Sequence, residues 1–348
     1  MSSTHIASQP LSNPSTVHEA LAFLRPHLPT CLPLYRRLQQ GRFFASTVLL
    51  SNLSSFENPS DWEDKPWILA FVDRSSRPET EVWMYGSWES ESNSTPLASV
   101  AASNEKISER EDLLRSLLLR IKELPMQKSF HQDGDDDGDD HDLEQKDFPG
   151  TSRGEYAAHM ANENIMLFGA IHSSTAEFLE RMGVVKNVYG KGAALVPNHT
   201  YVFTRAGLPK LRLELPEGLE WGELGREHFG LVRSRTVIPR QEKTLAVLRN
   251  LAIFDESIGM PIAWAFIQLD GSLSTLHVEE GWRGRGLAKM IAVKSFEEKM
   301  PELWEDGVEQ WAHGYVLEGT KASCGVCEAV GGKIGWTAFW VRVDLGSV

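Results

Sequence analysis

Cysteine is scarce in this chain: three in 348 residues, at positions 31, 324 and 327. An odd, small number excludes a disulfide framework as the device that holds the fold together. Long apolar runs are missing too, and no stretch approaches the ~18 apolar residues of a membrane-spanning helix. The first 24 residues carry neither Lys nor Arg nor an apolar run, so neither a secretory nor an Arg-rich leader is expected. Positive charge is in deficit, 35 Lys and Arg against 48 Asp and Glu for a net −13. That leaves no basic field for a nucleic-acid backbone or an anionic membrane. These gaps point to the reducing cytoplasm, with neither nucleic acid nor membrane as partner. What is present, 41% hydrophobic, 9% aromatic and 24% charged residues, is the composition of a packed globular chain, and the length predicts two domains.

Apolar spacing predicts helices over 17–24 and 34–38, then strands over 43–50, 67–73 and 81–88, the last two joined as a hairpin through Pro78. A long helix over 107–124 presents Leu113, Leu114, Leu117, Leu118 and Ile121 on one face, which is core more often than a partner groove. A strand at 164–171, a helix at 175–181 and a strand at 200–204 complete a first α/β domain, residues 1–208. The peptide Ala206-Gly207-Leu208-Pro209 marks the boundary. The second domain, 209–348, begins at 211–215 and continues with helices around 223–233 and 241–249. A meander at 250–254, 261–268 and 272–278 follows, its last turn at Asp270-Gly271.

The meander's final strand enters Glu279-Glu280-Gly281-Trp282-Arg283-Gly284-Arg285-Gly286-Leu287-Ala288 and then a helix. Unpaired N–H groups at a helix N-terminus, with glycines that admit close approach, form an anion site suited to a pyrophosphate, and Arg283 and Arg285 add charge. Alone, such a loop reads equally well as a glycine-rich surface turn.

It is not alone. Arg283, Gly286 and Ala288 fill the pyrophosphate-loop pattern of the GNAT superfamily of acyl-CoA-dependent N-acyltransferases, which the sequence resembles. Ile262-Ala263-Trp264-Ala265-Phe266 with Asp270-Gly271, His313-Gly314-Tyr315-Val316, and the stretch from Ala322 through Cys327-Glu328 to Gly331-Gly332 resemble the glycine N-acyltransferase-like branch. The resemblance covers about residues 211–348. It implies an α/β (α+β) GNAT fold, a mixed, mostly antiparallel, splayed sheet flanked by helices. Acetyl-CoA would be the co-substrate, an amine the acceptor, and no metal would be needed. The thioester would lie beside the backbone of Leu276, His277 and Val278, and the pyrophosphate at Arg283, Gly284, Arg285, Gly286, Leu287 and Ala288. Relatives carry Asn at the position of Thr320 and Tyr at that of Cys327, near the departing sulfur, where the Cys327 thiol would be the proton donor. The N-terminal half, at Trp67–Asp73 and Pro78–Trp83, resembles a degenerate GNAT-like domain with no phosphate loop, which predicts two such domains in tandem.

Relatives place a Glu base at the position of Ser272. Period-two alternation puts Ser272 and Ser274 on one face with Leu276. A serine hydroxyl does not accept a proton unaided at neutral pH, so Ser272 would at most hold a water. His313, with an unperturbed pKa of ~6.5, is the expected proton acceptor, followed by Asp270 and Glu280. A rival expectation is a non-catalytic acyl-CoA-binding or protein-interaction module, given the departures at Ser272, Thr320 and Cys327.

Three other patterns are weaker. Asp133 to Glu144 matches a calcium-loop template, but so acidic a run matches easily, and the whole insertion 127–153 is expected to be solvated and disordered. Cys324-Gly325-Val326-Cys327 has redox or half-zinc spacing without the remaining ligands. His228 reads as a surface histidine. Neither the oligomeric state nor the acceptor is visible in the sequence, the acceptor pocket being expected near 232–240 and the N-terminal half.

Overall fold

The computed structural model describes residues 4–44, 46–56, 65–77, 79–91, 100–125, 159, 161–186, 195–236 and 240–348. The acidic insertion 127–153, with its calcium-loop template, lies outside them, as does part of 232–240. In chain order the strands are β1 (Ala7–Pro10), β2 (Val48–Ser51), β3 (Ile68–Val72), β4 (Val82–Gly86), β5 (Ile165–His172) and β6 (Asn198–Thr204). They continue with β7 (Leu219–Gly222), β8 (Arg249–Asp255), β9 (Met260–Ile267), β10 (Ser272–Val278), β11 (Trp311–Leu317) and β12 (Lys333–Asp344). Among the described residues no helix is long and apolar enough to cross a membrane.

The chain forms two compact units whose limits differ from the boundary expected at 208. The first takes described residues of Met1–His141 and Arg153–Pro197 together with Trp336–Val348; the second is Asn198–Gly335. β6 belongs to the second because it pairs along its whole length with β11, Trp311↔Thr204 to Leu317↔Asn198. The first unit is completed by β12, antiparallel to β5 from Ala338↔His172 to Asp344↔Ile165.

In the first unit the strands lie in the order β1-β2-β3-β4-β5-β12. Alternation fixes its two cores. Ile68, Ala70, Val72, Val82 and Met84 face Leu113, Leu114, Leu117, Leu118 and Ile121 of helix Val100–Lys122, as the apolar stripe predicts. Leu69, Phe71, Trp83 and Tyr85 face helices Pro14–Leu24 and Leu32–Gln39. β4 and β5 are parallel, with one matched pair, Val82↔Phe168. Trp88, 1% exposed, follows β4; its Nε1 donates to Thr175 Oγ1 (2.9 Å), and its ring meets Phe178 edge-on at 5.7 Å. Thr175 and Phe178 belong to helix Ser173–Arg181, which follows β5, so this indole bridges from the end of one parallel strand to the helix after the other.

Beside it, Thr175 Oγ1 donates to Glu89 Oε1 at 2.6 Å. Burial pushes the Glu89 carboxyl up to about 8, against the pull of the Thr175 hydroxyl and the Gly86 backbone. Folding therefore favours the protonated acid. Its stabilisation is complete below the ordinary carboxylate pKa of ~4.3 and is lost as pH rises through about 8. Glu89→Gln should remove that loss. Thermal unfolding across this range should show the variant gaining on the parent as pH rises, by up to a few kcal/mol at ~1.4 per pKa unit. Parallel curves would mean that Glu89 is ionised in the folded state.

In the second unit the order is β6-β11-β10-β9-β8-β7, antiparallel throughout except between β10 and β11. Helices Leu287–Lys299 and Lys321–Ala329 cover one face, with Leu273, Ala263, Ala265, Ile267, Ile291, Phe296, Ala312 and Val316 in the shared core. Short helices Phe229–Arg235 and Glu242–Leu245 cover the other, against Ala252, Trp264 and Phe266. The expected helix at 241–249 is only that one turn, because β8 claims the chain from Arg249. The segment 211–215 forms no strand; Leu213 instead accepts the Trp221 Nε1–H through its carbonyl (3.1 Å).

Candidate active site

β10 and β11 pair at Ser272↔His313 and Leu273↔Gly314 and at no later position. Gly314 is needed where the strands meet, since a Cβ there would lie 3.1 Å from Leu273 O. Beyond it the strands part, leaving edge N–H and C=O groups of β10 without a β11 partner. The open end of that gap leads to the glycine loop. Gly284 and Gly286 have φ of 78° and 82°, and a Cβ at either would meet nothing within 4 Å, so the loop combines left-handed turns with open space. Gly286 is the N-cap of helix Leu287–Lys299, and helical bonding starts only with Lys289 N–H and Met290 N–H to Gly286 O. The first N–H groups of that helix have no intrahelical acceptor, and no acidic side chain lies in its first turn. Arg283 is tied down through Nε to Val278 O (3.0 Å), and Arg285 lies over the Trp282 ring at 4.6 Å. The loop from Arg283 to Ala288 thus combines two left-handed glycines, two arginines and a helix N-terminus with unbonded N–H groups.

The faces of β10 differ from strict alternation. Ser274 pairs with Phe266 and His277 with Trp264, so three steps on β10 match two on β9. The extra residue is accommodated at Thr275, whose φ is 53°. Consequently Leu273, Leu276 and Val278 all point to the face of helix Leu287–Lys299, where Leu273 is core and the other two pack against it. Ser272 and Ser274 therefore do not share a face with Leu276, as counting by two had predicted; they share it with His277. The His277 ring stacks on Trp264, 4.6 Å between centroids and 24° between planes. Its Nε2 is enclosed without a hydrogen-bond partner, 3.8 Å from Glu279 Oε1, which Arg235 Nε holds at 2.8 Å. Burial lowers the His277 pKa; Glu279 opposes that, and Arg283 and Arg235 reinforce it. A clue was legible in the apolar spacing of β10, Leu273 to Leu276 to Val278, three and then two.

Where the strands meet, Asp270, Ser272, His313 and Tyr315 form a polar cluster. Asp270 Oδ1 accepts from Ser272 Oγ (2.7 Å), and Oδ2 accepts from the Tyr315 hydroxyl (3.2 Å). Burial alone would raise the Asp270 carboxyl, but His313 and the Ser272 hydroxyl and N–H bring it below its ordinary value. His313 is fully buried, 3.8 Å from Asp270 Oδ2 and edge-on to Tyr315, with neither ring nitrogen hydrogen-bonded. The expected acceptor, His313, is thus fully buried, and Ser272 is engaged with Asp270.

Across the gap, Thr320 precedes helix Lys321–Ala329 and makes no side-chain cap. Cys327 lies in the core between the helices, where burial first, then Cys324 and Glu328, push its thiol up to about 12. A thiol that tight protonates an ordinary thiolate of pKa ~8.5 only uphill, at ~1.4 kcal/mol per unit, so the structure does not favour the donor role expected of it. The Tyr201 hydroxyl, which the sequence did not single out, donates to Glu328 Oε1 (3.3 Å) on the same face. All three cysteines are free.

A family profile described as the acyl-CoA N-acyltransferase verG N-terminal domain matches residues 3–202. The chain belongs to that family. The match covers the half whose likeness to GNAT domains is faint in sequence, and with the splayed mixed sheet of the second unit it establishes the GNAT superfamily and fold. Among solved structures, a Drosophila protein matches with a TM-score of 0.55 at 15% identity, over 97% of this chain and 98% of its own. A tandem GNAT protein from the clavulanic acid biosynthesis pathway, solved without acetyl-CoA, has a TM-score of 0.42 and 10% identity over 98% of both chains. A GCN5-related N-acetyltransferase from Sphaerobacter thermophilus has a TM-score of 0.39 and 12% identity, over 98% of this chain and 96% of its own. No curated protein matches the sequence.

Proposed function

We propose that this acyl-CoA N-acyltransferase-family chain transfers an acyl group, acetyl first among them, from CoA to an amine of a small molecule or peptide by direct attack. The reaction would take place in the second unit, in the manner of the glycine N-acyltransferase-like branch and in the cytoplasm. The observation that carries the reading is the gap between β10 and β11, closed at Leu273 and Gly314 and opening toward Gly284–Gly286. From Leu273 to Val278 the strand spans ~17 Å at ~3.3 Å per residue, a slot for an extended pantetheine arm with its phosphates at the helix N-terminus.

In this reading the N–H groups from Gly284 to Ala288, with Arg283 and Arg285, hold the pyrophosphate. The free edge of Leu276, His277 and Val278 pairs with the pantetheine amides and donates N–H to the thioester oxygen as charge builds there. Thr320 borders the slot on the β11 side. Release of CoA thiol from acetyl-CoA, followed colorimetrically with a panel of primary amines and amino acids, is expected for at least one acceptor class. Binding of acetyl-CoA without release by any amine would favour the second reading, a binding module. The enclosed, tightly protonated Cys327 is the observation on that side.

A further inference from the structure

The amine that attacks must lose a proton, and the bulge in β10 selects a different acceptor from the one strand counting suggests. We infer that His277, through Nδ1, is the residue that takes the proton from the acceptor amine, with Trp264 fixing the ring and the Glu279 carboxylate favouring its charged form. The inference rests on the function proposed above.

The bulge at Thr275 moves His277 onto the face of Ser272 and Ser274, while its own backbone stays on the slot edge between Leu276 and Val278. An amine approaching the thioester from the face opposite helices Leu287–Lys299 and Lys321–Ala329 meets this imidazole beside the edge it attacks. The two ring nitrogens have different surroundings. Nε2 is enclosed and faces Glu279 Oε1 at 3.8 Å, an arrangement that favours the Nε2–H tautomer and stabilises the imidazolium once formed. Nδ1 is not among the enclosed, unpartnered atoms, and its lone pair is the one left for an incoming N–H. Stacking on Trp264 fixes the ring plane.

The charged groups around the ring come from three elements: Glu279 from the end of its own strand, Arg283 from the glycine loop, and Arg235 from helix Phe229–Arg235. Burial with the two arginines keeps the imidazole neutral, and so able to accept a proton, at neutral pH. His313 has a carboxylate partner as well, but it is fully buried. The proton balance is simple: the amine N–H bond breaks, Nδ1–H forms, and the new N–C bond forms as the C–S bond breaks and CoA leaves as thiolate. The imidazolium then returns its proton to solvent or to the thiolate.

The test is the pH profile of kcat/KM for the full chain with acetyl-CoA and the best amine of the panel, alongside calorimetric binding of acetyl-CoA. The parent should show an acidic limb from His277. His277→Gln should lose that limb and about a hundredfold in kcat/KM at neutral pH, with acetyl-CoA affinity unchanged, and added imidazole should restore part of the rate. Glu279→Gln should keep the limb and move it to lower pH, because the carboxylate that supports the charged form is gone. If His277→Gln binds acetyl-CoA normally and keeps both limb and rate, the inference is overturned while the acyltransfer reading stands. If the His313→Gln variant loses the limb instead, the proton acceptor is in the buried cluster. A parent that binds acetyl-CoA but releases no CoA with any amine overturns both.

Discussion

Gly286→Glu is expected to abolish acetyl-CoA binding, with calorimetric heat falling to the baseline at concentrations that saturate the parent. Two effects act together. The φ of 82° places any L side chain in the left-handed region, and the glutamate then sets a negative charge at the N-cap, where the phosphates need the helix's positive end. Strain alone would be a weaker argument, because the space around the Cβ is open. Gly286→Asn separates the two, since asparagine tolerates the left-handed region and brings no charge. It should bind acetyl-CoA within about tenfold of the parent, a difference of ~1.4 kcal/mol. Undiminished binding by the glutamate variant would remove the ligand from the glycine loop and with it the proposed reaction centre.

Trp88→Ala should destabilise the first unit by ~3–5 kcal/mol, the usual cost of removing a large aromatic side chain from a closed core. The indole is 1% exposed and packs edge-on against Phe178, while its Nε1–H satisfies Thr175. Its removal leaves a cavity beside the end of β4 and releases the Thr175–Glu89 pair from its third member. Against a total stability of ~5–15 kcal/mol this is a large fraction, measurable as a lower urea midpoint. Trp88→Phe, which keeps most of the ring and loses the donor, should cost ~1–2 kcal/mol. A midpoint unchanged in Trp88→Ala would show that the space between the parallel strand and its following helix tolerates being empty. In the second unit the corresponding space, after a parallel pair of the same kind, is the slot assigned to acyl-CoA.

Much of this was legible locally. The leucine stripe of helix Val100–Lys122 follows helical spacing, and its burial matches it residue by residue. Asp270-Gly271 makes the turn its sequence announces, with Gly271 at φ 75°. The loop from Arg283 to Ala288 could be read because its chemistry is carried by consecutive residues. What could not be read is what depends on distant chain. Nothing in 336–344 says that this strand will pair with 165–172, and nothing in 198–204 says that it will leave the domain it follows. Trp88 looks like the end of a strand and not like a plug, since its partners Thr175 and Phe178 lie far along the sequence. At Thr275 the failure was of another kind: period two is a rule for regular strands, and one extra residue reverses every assignment beyond it. The chemistry of His313 suits a proton acceptor, but burial decides whether a substrate reaches it.

Strand β12, Lys333–Asp344, also sets the order in which the protein can be made. Synthesis runs from the N-terminus, so β5 emerges about half a chain before its partner β12 exists. Until residues 338–344 have been made, one side of β5 is an unpaired edge that includes Ile165, Leu167, Phe168 and Ile171, a template for pairing with other chains. The second unit, which needs helix Lys321–Ala329 for its core and includes β6, is complete by Gly335 and can close first. The usual N-terminal-first sequence is thereby inverted: the half that is translated earlier finishes later, and its closing contact is among the most distant in the chain, the kind that forms slowly. Loss of residues 338–344 would therefore be felt in β5, far earlier in the sequence, whose edge would stay unpaired.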